Sequence, residues 1–209
     1  MAKDTFDSWE KFLNPKKLKD SLIRASIYLS AYELLKTSIT DHLTGFFASE
    51  WKFNEKTGEI ETIQSESYKE KVRSLYPKDE FHSCCLWFFD NKAIDKENLD
   101  SIQKIRRHRN TIAHELPKFL GSINYEVDRN LLKKTIEIIR KVDAWWIKEI
   151  EVPINPDFDH MNYDEINWAE VLSGNMILMS FLSSIYEGDD TFLNSFHNEF
   201  IERWCKLKR

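Results

Sequence analysis

Glycine and proline are scarce in this chain, and their scarcity limits the possible folds more than any other feature. Only five glycines and five prolines occur among 209 residues. Because tight turns between strands need these two residues, a sandwich or barrel of many strands is not expected. Hydrophobic residues make up 42% of the chain and aromatic residues 13%, which is enough for a core and excludes a disordered protein. The sequence therefore predicts an all-α protein.

The balance of charge limits where a nucleic acid could bind. The formal net charge is -5, whereas a general nucleic-acid coat is normally basic. Any such contact must come from a local basic patch. The three cysteines cannot form a full disulfide set, and none has metal-ligand spacing, which indicates a reducing compartment. With no signal peptide and no apolar run of about 20 residues, we expect a cytoplasmic protein that does not enter a membrane.

Helical periodicity covers most of the chain. Asn14 and Pro15 predict the start of a long helix that follows a short one and runs nearly to Phe47. A turn signal at 56–59 predicts a β-hairpin or an irregular insertion near 51–67. Further helices are predicted over 68–75, 81–89, 95–116 (ending at Pro117), 126–150, 164–186 and 190–207.

The division into domains follows from one break in this pattern. Residues 1–150 are predicted to form one helical domain, and the segment 151–160, with two prolines, is the best candidate for a linker. Residues 161–209 are predicted to be a two-helix extension packed on the same core. Its last helix places aromatic and apolar residues on one stripe: Phe192, Phe196, Phe200, Trp204 and Leu207.

One segment concentrates positive charge in this acidic protein. Between Lys104 and His114 there are four cations, two histidines and no acid, on the predicted helix 95–116. Familiar catalytic signatures are missing elsewhere: no glycine-rich phosphate loop occurs, and His114-Glu115 lacks the second histidine of a zinc protease motif. The residues of interest are Lys104, Arg106, Arg107, His108, Arg109, Asn110 and His114.

Arg109 interrupts the apolar stripe of this helix, where leucine or isoleucine would be expected. A charge on the packed side of a helix is costly unless it is paired or lies in a wet cleft. Such an interruption of the apolar stripe therefore often marks a functional site. The alternative is an arginine that lies along the seam, or one paired with an acid such as Glu33.

Arginine and histidine without metal ligands suit cleavage of RNA by its own 2′-hydroxyl. The histidine would move a proton, and the guanidinium would hold the phosphate as charge develops. The products would carry a cyclic phosphate, and no cofactor is needed. Arg109 and His114 are about 140° apart on an ideal helix. The two side chains could act together only through the length of the arginine, through a kink before Pro117, or if a second copy of the motif faced the first across a dimer. Arg107 lies on the face of His114 and is the second assignment, with His108 as its polar neighbour.

The segment Arg109-Asn110-Thr111-Ile112-Ala113-His114 resembles the R-x(4–6)-H motif of HEPN domains, which have a polar residue directly after the arginine. The surroundings are also similar, because a long helix precedes the motif helix and another follows it. The resemblance covers roughly residues 15–150.

This resemblance implies a helical bundle that dimerises, so that the two motifs meet in a shared cleft. It also implies a metal-independent endoribonuclease of toxin–antitoxin, abortive-infection or CRISPR-linked defence. Arg109 and His114 would be the catalytic pair and Asn110 an assisting residue. One branch of the family has a tyrosine two residues after the histidine, which its antitoxin modifies, but Leu116 stands there in this chain.

The expected partners are RNA, a second copy of the chain, and an antitoxin or defence-system protein. Lys104, Arg106, Arg107 and His108 would contact the RNA. The rival hypothesis is a HEPN-like module without catalysis, in which the arginine-lined motif serves dimerisation or the binding of a ligand or RNA.

Overall fold

The computed structural model describes residues 2–158, 163–168 and 170–207 of the chain. This part is mostly helical and holds one two-stranded antiparallel sheet, which confirms the predicted architecture at that level. The elements are α1 (Ala2–Leu13), α2 (Pro15–Phe46), β1 (Ala48–Asn54), β2 (Glu59–Gln64), α3 (Glu66–Lys71), α4 (Glu80–Asp90), α5 (Lys96–Gly121), α6 (Arg129–Trp146), α7 (Val152–Ile154), α8 (Gly174–Glu187) and α9 (Thr191–Leu207).

Side chains that cap the first turn fix where several helices begin. Asn14 accepts hydrogen bonds from the backbone N–H groups of Lys16 and Lys17, and Pro15 follows as the first residue of α2, as predicted. Asp95, where the sequence predicts that a helix begins, caps α5 in the same way. The predicted start of α6 at Glu126 was wrong, because Asp128 caps this helix and it begins at Arg129.

Helix α5 does not stop at Pro117, contrary to the prediction. The backbone leaves the helical region only at Glu115 (φ −121°, ψ 24°), and the helix resumes and continues to Gly121. Proline lacks an N–H donor and its ring crowds the preceding turn, yet it fits the first turn of a helical segment. The break at Glu115 makes Pro117 part of such a first turn, so the helix bends instead of ending.

The predicted linker 151–160 is partly helical. A π-helical turn, Ile147–Glu151, continues α6 directly into α7, and Val152 is buried. Positions 159 and 160 of this linker, and 161 and 162 of the predicted extension, lie outside the described residues. Helix α8 begins at Gly174, not at 164, because the hydroxyl of Ser173 accepts from the backbone N–H of Met176 and caps it.

Helix α2 lies at the centre of the molecule, and α4, α5, α6 and α8 pack around it. Its side chains are buried on several faces, as expected of a helix with neighbours on more than one side. Met179 and Tyr186 of α8 belong to the same hydrophobic core. The fully buried side chains of this core include Tyr28, Leu35, Ile39 and Leu43 of α2, Ile102, Ile105 and Ile112 of α5, and Ile138 and Ile139 of α6.

None of the described helices is long and apolar enough to cross a membrane.

Candidate functional site

Helix α5 carries the basic segment and presents it on three sides. Ile105 and Ile112 point into the core, so they fix the rotation of the helix. Arg106 and Arg109 lie beside a cleft, whereas His108 packs inside the bundle. Lys104, Arg107, Asn110 and His114 are exposed. The segment is therefore not one continuous basic surface, because its charges are distributed around the helix.

Arg109 reaches α2 and forms an ion pair there. One guanidinium nitrogen, Nη2, donates to Glu33 Oε1 at 2.5 Å, and Nη1 donates to Asn110 Oδ1 at 3.3 Å. The guanidinium also lies 5.1 Å from the ring centre of Tyr32. Nε has no hydrogen-bond partner among the described residues. The structure thus pairs Arg109 with the acid that the sequence offered as the alternative to a functional role, and this pairing offsets the cost of a charge at the seam.

The cleft beside Arg109 has a volume of about 660 Å³ and lies between α2, α4, α5 and the end of the β-hairpin. Three cations and four acids line it, so its side chains carry a formal charge of about -1. A phosphate in this cleft would therefore compete with the carboxylate of Glu33 for the guanidinium of Arg109. The charged lining residues are Glu33, Lys36, Asp41, Asp79, Glu80, Arg106 and Arg109.

Arg106 links α5 to the start of α4. Its guanidinium donates to the carboxylate of Asp79, which caps α4, and lies 6.0 Å from the ring centre of Phe81. Burial acts to raise the pKa of Asp79, but the hydrogen bonds from Arg106 and from the backbone N–H of His82 outweigh it, so this pKa is lowered. Arg106 is therefore already bound to a carboxylate of its own chain.

His108 faces away from the cleft and joins α5 to the start of α6. Its Nε2 accepts a hydrogen bond from the backbone N–H of Asp128 at 2.9 Å. The ring also makes edge contacts with Tyr28 and Phe119, at centre distances of 4.9 and 5.9 Å. Burial lowers the pKa of His108, although the charge of Asp128 opposes this shift. Because Nε2 accepts, it carries no proton, and the imidazole is neutral.

The state of His108 predicts how stability depends on pH. In the unfolded chain the imidazole of residue 108 takes up a proton near the ordinary histidine pKa of about 6.5, whereas in the folded chain its pKa is lower. Because the unfolded state then binds more protons, the free energy of unfolding should fall as the pH drops through this range. Urea unfolding of wild type and His108→Gln between about pH 8 and 5 measures the effect. The variant should lose less stability across the range than wild type. His197→Gln, at an exposed position of α9, should match wild type. Parallel profiles for wild type and His108→Gln would contradict the expectation.

Arg107 and His114 remain available on the outer face of α5. They are seven residues apart in the sequence, and two turns of helix place them on one side. Within the described part of the chain, neither side chain forms a hydrogen bond or an ion pair, and both are exposed. Lys104 is one turn from Arg107 and is exposed as well. This face therefore offers two cations and a histidine to a ligand from solution.

The structure does not bring Arg109 and His114 together within one chain. The kink of α5 lies at Glu115, after His114, so both residues stay on the same regular stretch of helix. Arg109 lines the cleft, and His114 does not. Asn110 also lines the cleft and contacts Arg109, so only these two of the three predicted catalytic residues are neighbours.

A second polar cluster escaped the sequence analysis. His42 Nε2 lies 3.2 Å from Asp143 Oδ1, and the hydroxyl of Ser173 donates to the other oxygen of the same carboxylate. Asp143 is buried, with a side chain only 1% exposed. The sequence did hold one signal of this cluster, an acid within the apolar end of α6, but the partners His42 and Ser173 are distant from Asp143 in the chain. Because the carboxylate lies between serine and histidine, the hydroxyl is bonded to Asp143 and not to the imidazole, so the cluster lacks the serine–histidine contact of a nucleophilic triad.

Comparisons with protein-family profiles, curated proteins and solved structures gave no match to the chain. The described residues contain no group of three or more histidine, cysteine, aspartate or glutamate side chains that could hold a metal ion.

Proposed function

We propose that this protein is a metal-independent endoribonuclease of the HEPN type, and that it acts as a homodimer in prokaryotic toxin or antiphage defence in the cytoplasm. The observation that carries the proposal is the outer face of α5. There an acidic protein with a net charge of -5 exposes Lys104, Arg107 and His114, with no acid between them in sequence. An antitoxin or another defence-system protein would keep the activity in check.

The chemistry follows from the side chains. His114 is exposed, so it can reach the 2′-hydroxyl or the 5′-oxygen of an RNA strand and transfer a proton at either atom. A guanidinium then holds the phosphate through two hydrogen bonds and stabilises the charge that develops on it. The 2′-oxygen attacks the phosphorus, the 5′-oxygen leaves, and a 2′,3′-cyclic phosphate remains.

Two arrangements supply the guanidinium. In the first, Arg109 of one copy meets His114 of a second copy across a dimer, because the two residues are about 140° apart on one helix. RNA must then replace Glu33 at Arg109, and Asn110 assists. In the second, Arg107 and His114 of one chain act together on the face that they share. The side chain of Arg107, which has no partner among the described residues, favours the second arrangement, and the cleft that adjoins Arg109 favours the first.

RNA cleavage in EDTA by Arg107→Ala and Arg109→Ala separates these arrangements. We expect wild type to cut RNA and to leave cyclic phosphate ends. Loss of the arginine that stabilises the transition state should lower the rate roughly 10²- to 10³-fold, whereas loss of the other should lower it far less. Arg140→Ala, an exposed arginine of α6, is the matched control and should behave as wild type. RNA that stays intact with wild type under every condition tested would reject the endoribonuclease.

The ion pair between Arg109 and Glu33 favours a second candidate function, a HEPN-like module without catalysis. With Nη2 bonded to Glu33 and Nη1 to Asn110, the guanidinium is held by its own chain at the dimer seam or at a ligand cleft. In that case wild type would bind RNA or a ligand without cutting RNA. Glu33→Gln removes the ion pair, so it should raise RNA affinity if the cleft takes a phosphate.

A further inference from the structure

A second cleft lies between the end of α4, the start of α5 and α6, and the sign of its charge is opposite to that of the cleft beside Arg109. It has a volume of about 730 Å³. Three lysines and two aspartates line it, so its side chains carry a formal charge of about +1 in a protein whose net charge is -5. An anion is therefore favoured here. The charged lining residues are Asp90, Lys92, Asp95, Lys96 and Lys141.

A buried amide that lines this cleft has an unused donor. Asn98 is fully buried, and its Oδ1 accepts from the backbone N–H of Asp95 at 3.3 Å and from Lys141 Nζ at 3.0 Å. Because both of these partners are donors, the orientation of the amide is fixed. Nδ2 is then the atom without a hydrogen-bond partner among the described residues. A buried N–H without an acceptor is costly, so Nδ2 favours a ligand that brings an acceptor oxygen.

Lys92 stands where the backbone favours glycine. Its φ is 62°, and it is the one non-glycine residue with a positive φ in the described part of the chain. The N–H groups of Lys92 and Ala93 donate to the carbonyls of Phe89 and Phe88, the Schellman pattern that ends α4 and usually has glycine or asparagine at this position. The exposed ammonium of Lys92 forms no ion pair or hydrogen bond within the described residues. It therefore offers a cation to the cleft at a cost in backbone strain.

The other two lysines have carboxylate partners that an anion can replace. Lys96 pairs with an acid of its own helix at 3.2 Å, and Lys141 lies 3.4 Å from Asp95 and 3.7 Å from Glu137. Exposed pairs of this kind contribute little to stability, so an anion can compete for both lysines.

We propose that this cleft binds a small organic anion, with the oxygens of a phosphate or carboxylate group between Lys92, Lys141 and Asn98. The side chain of Lys141, which is partly exposed, turns from Asn98 Oδ1 to the anion, so that a ligand oxygen reaches the covered Nδ2. The apolar body of the ligand then packs on Phe89, which lines the same cleft.

Titration calorimetry of the full chain at low ionic strength tests the site with phenyl phosphate, phenylacetate and inorganic phosphate as probes. At least one organic probe should bind with a dissociation constant below about 10 mM. The tighter of the two identifies the charged group as phosphate or carboxylate. Inorganic phosphate has no apolar body, so it should bind more weakly than phenyl phosphate. Saturation by neither organic probe, or equal affinity for inorganic and phenyl phosphate, would overturn the proposal.

Two variants of Lys92 separate binding from folding. Lys92→Gln should weaken the tighter probe about tenfold, the loss of one charge-assisted hydrogen bond. Lys92→Gly should weaken it as much while raising the free energy of unfolding, because glycine relieves the strain at this φ. Lys19→Gln, at an exposed lysine of α2 outside the cleft, is the matched control and should bind as wild type.

Full affinity in both Lys92 variants, or binding that Arg107→Ala abolishes instead, would place the anion elsewhere and refute this site. The readout does not depend on whether the chain cuts RNA, because no residue of the basic segment 104–114 lines this cleft.

Discussion

RNA cleavage by His114→Ala is expected to fall roughly 10²- to 10⁴-fold below that of wild type, the range in which a side chain that moves a proton contributes. His114 is exposed and makes no hydrogen bond or ion pair within the described residues. Its removal should therefore leave the free energy of unfolding almost unchanged. A large loss of rate with unchanged stability is the signature of a group that acts on the RNA. Cleavage of a defined RNA in EDTA, together with urea unfolding, measures both.

Mixing two inactive variants shows whether the site is shared. If Arg109 of one chain acts with His114 of the other, dimers formed from Arg109→Ala and His114→Ala contain one intact pair. Random exchange should then restore about a quarter of the wild-type rate. If Arg107 and His114 act within one chain, a mixture of Arg107→Ala and His114→Ala regains nothing. His82→Ala, a histidine that already contacts Gln103, is a control that should cut as wild type. A His114→Ala variant that cuts as fast as wild type would end the catalytic proposal.

Replacement of His42 by phenylalanine is expected to destabilise the fold by about 3 kcal/mol. The new ring can still stack on Trp146, as the imidazole does at 4.6 Å between ring centres. What is lost is the imidazole partner of Asp143, whose side chain is only 1% exposed and would keep only the hydroxyl of Ser173 as a donor. A buried carboxylate without its partner is costly because the protein interior cannot solvate it. Urea unfolding at pH 7 measures the loss.

A double variant isolates the contribution of the buried charge. His42→Phe/Asp143→Leu removes the carboxylate together with its partner, so it should be more stable than His42→Phe alone. His197→Phe, on the exposed side of α9, controls for the substitution itself and should change stability little. A double variant that is no more stable than His42→Phe would show that packing, not the charge on Asp143, gives His42 its role.

Much of the helical framework could be predicted because helix signals are local. The cap at Asn14 and the proline after it act within one turn, and the same holds for Asp95. The errors lie where a neighbouring element changes the outcome. Helix α5 bends at Glu115 and continues past Pro117, and the predicted linker includes a helical turn with Val152 buried. Whether the end of α5 or the linker packs on the bundle depends on distant residues and not on the residues within one helical turn.

The basic segment was identifiable from the sequence, but its arrangement was not. Composition and spacing singled out the stretch from Lys104 to His114, since charge and residue type are properties of the chain itself. The direction of each side chain depended on neighbours far away in sequence. Arg109 is bonded to Glu33, 76 residues away, and His108 to the start of α6. Only the packed bundle shows that the segment divides into a cleft, an internal contact and an outer face.

The sequence by itself determined a mostly helical chain, most of its helix positions and the one stretch where cations and histidines gather. Helical period, caps and charge are local, so they can be read without knowing the neighbours. The tertiary structure alone decided that Arg109 has a carboxylate partner, that Asp143 is buried between His42 and Ser173, and that Phe200 is left uncovered. These outcomes depend on which distant surfaces meet when the helices pack, and packing is a property of the whole fold.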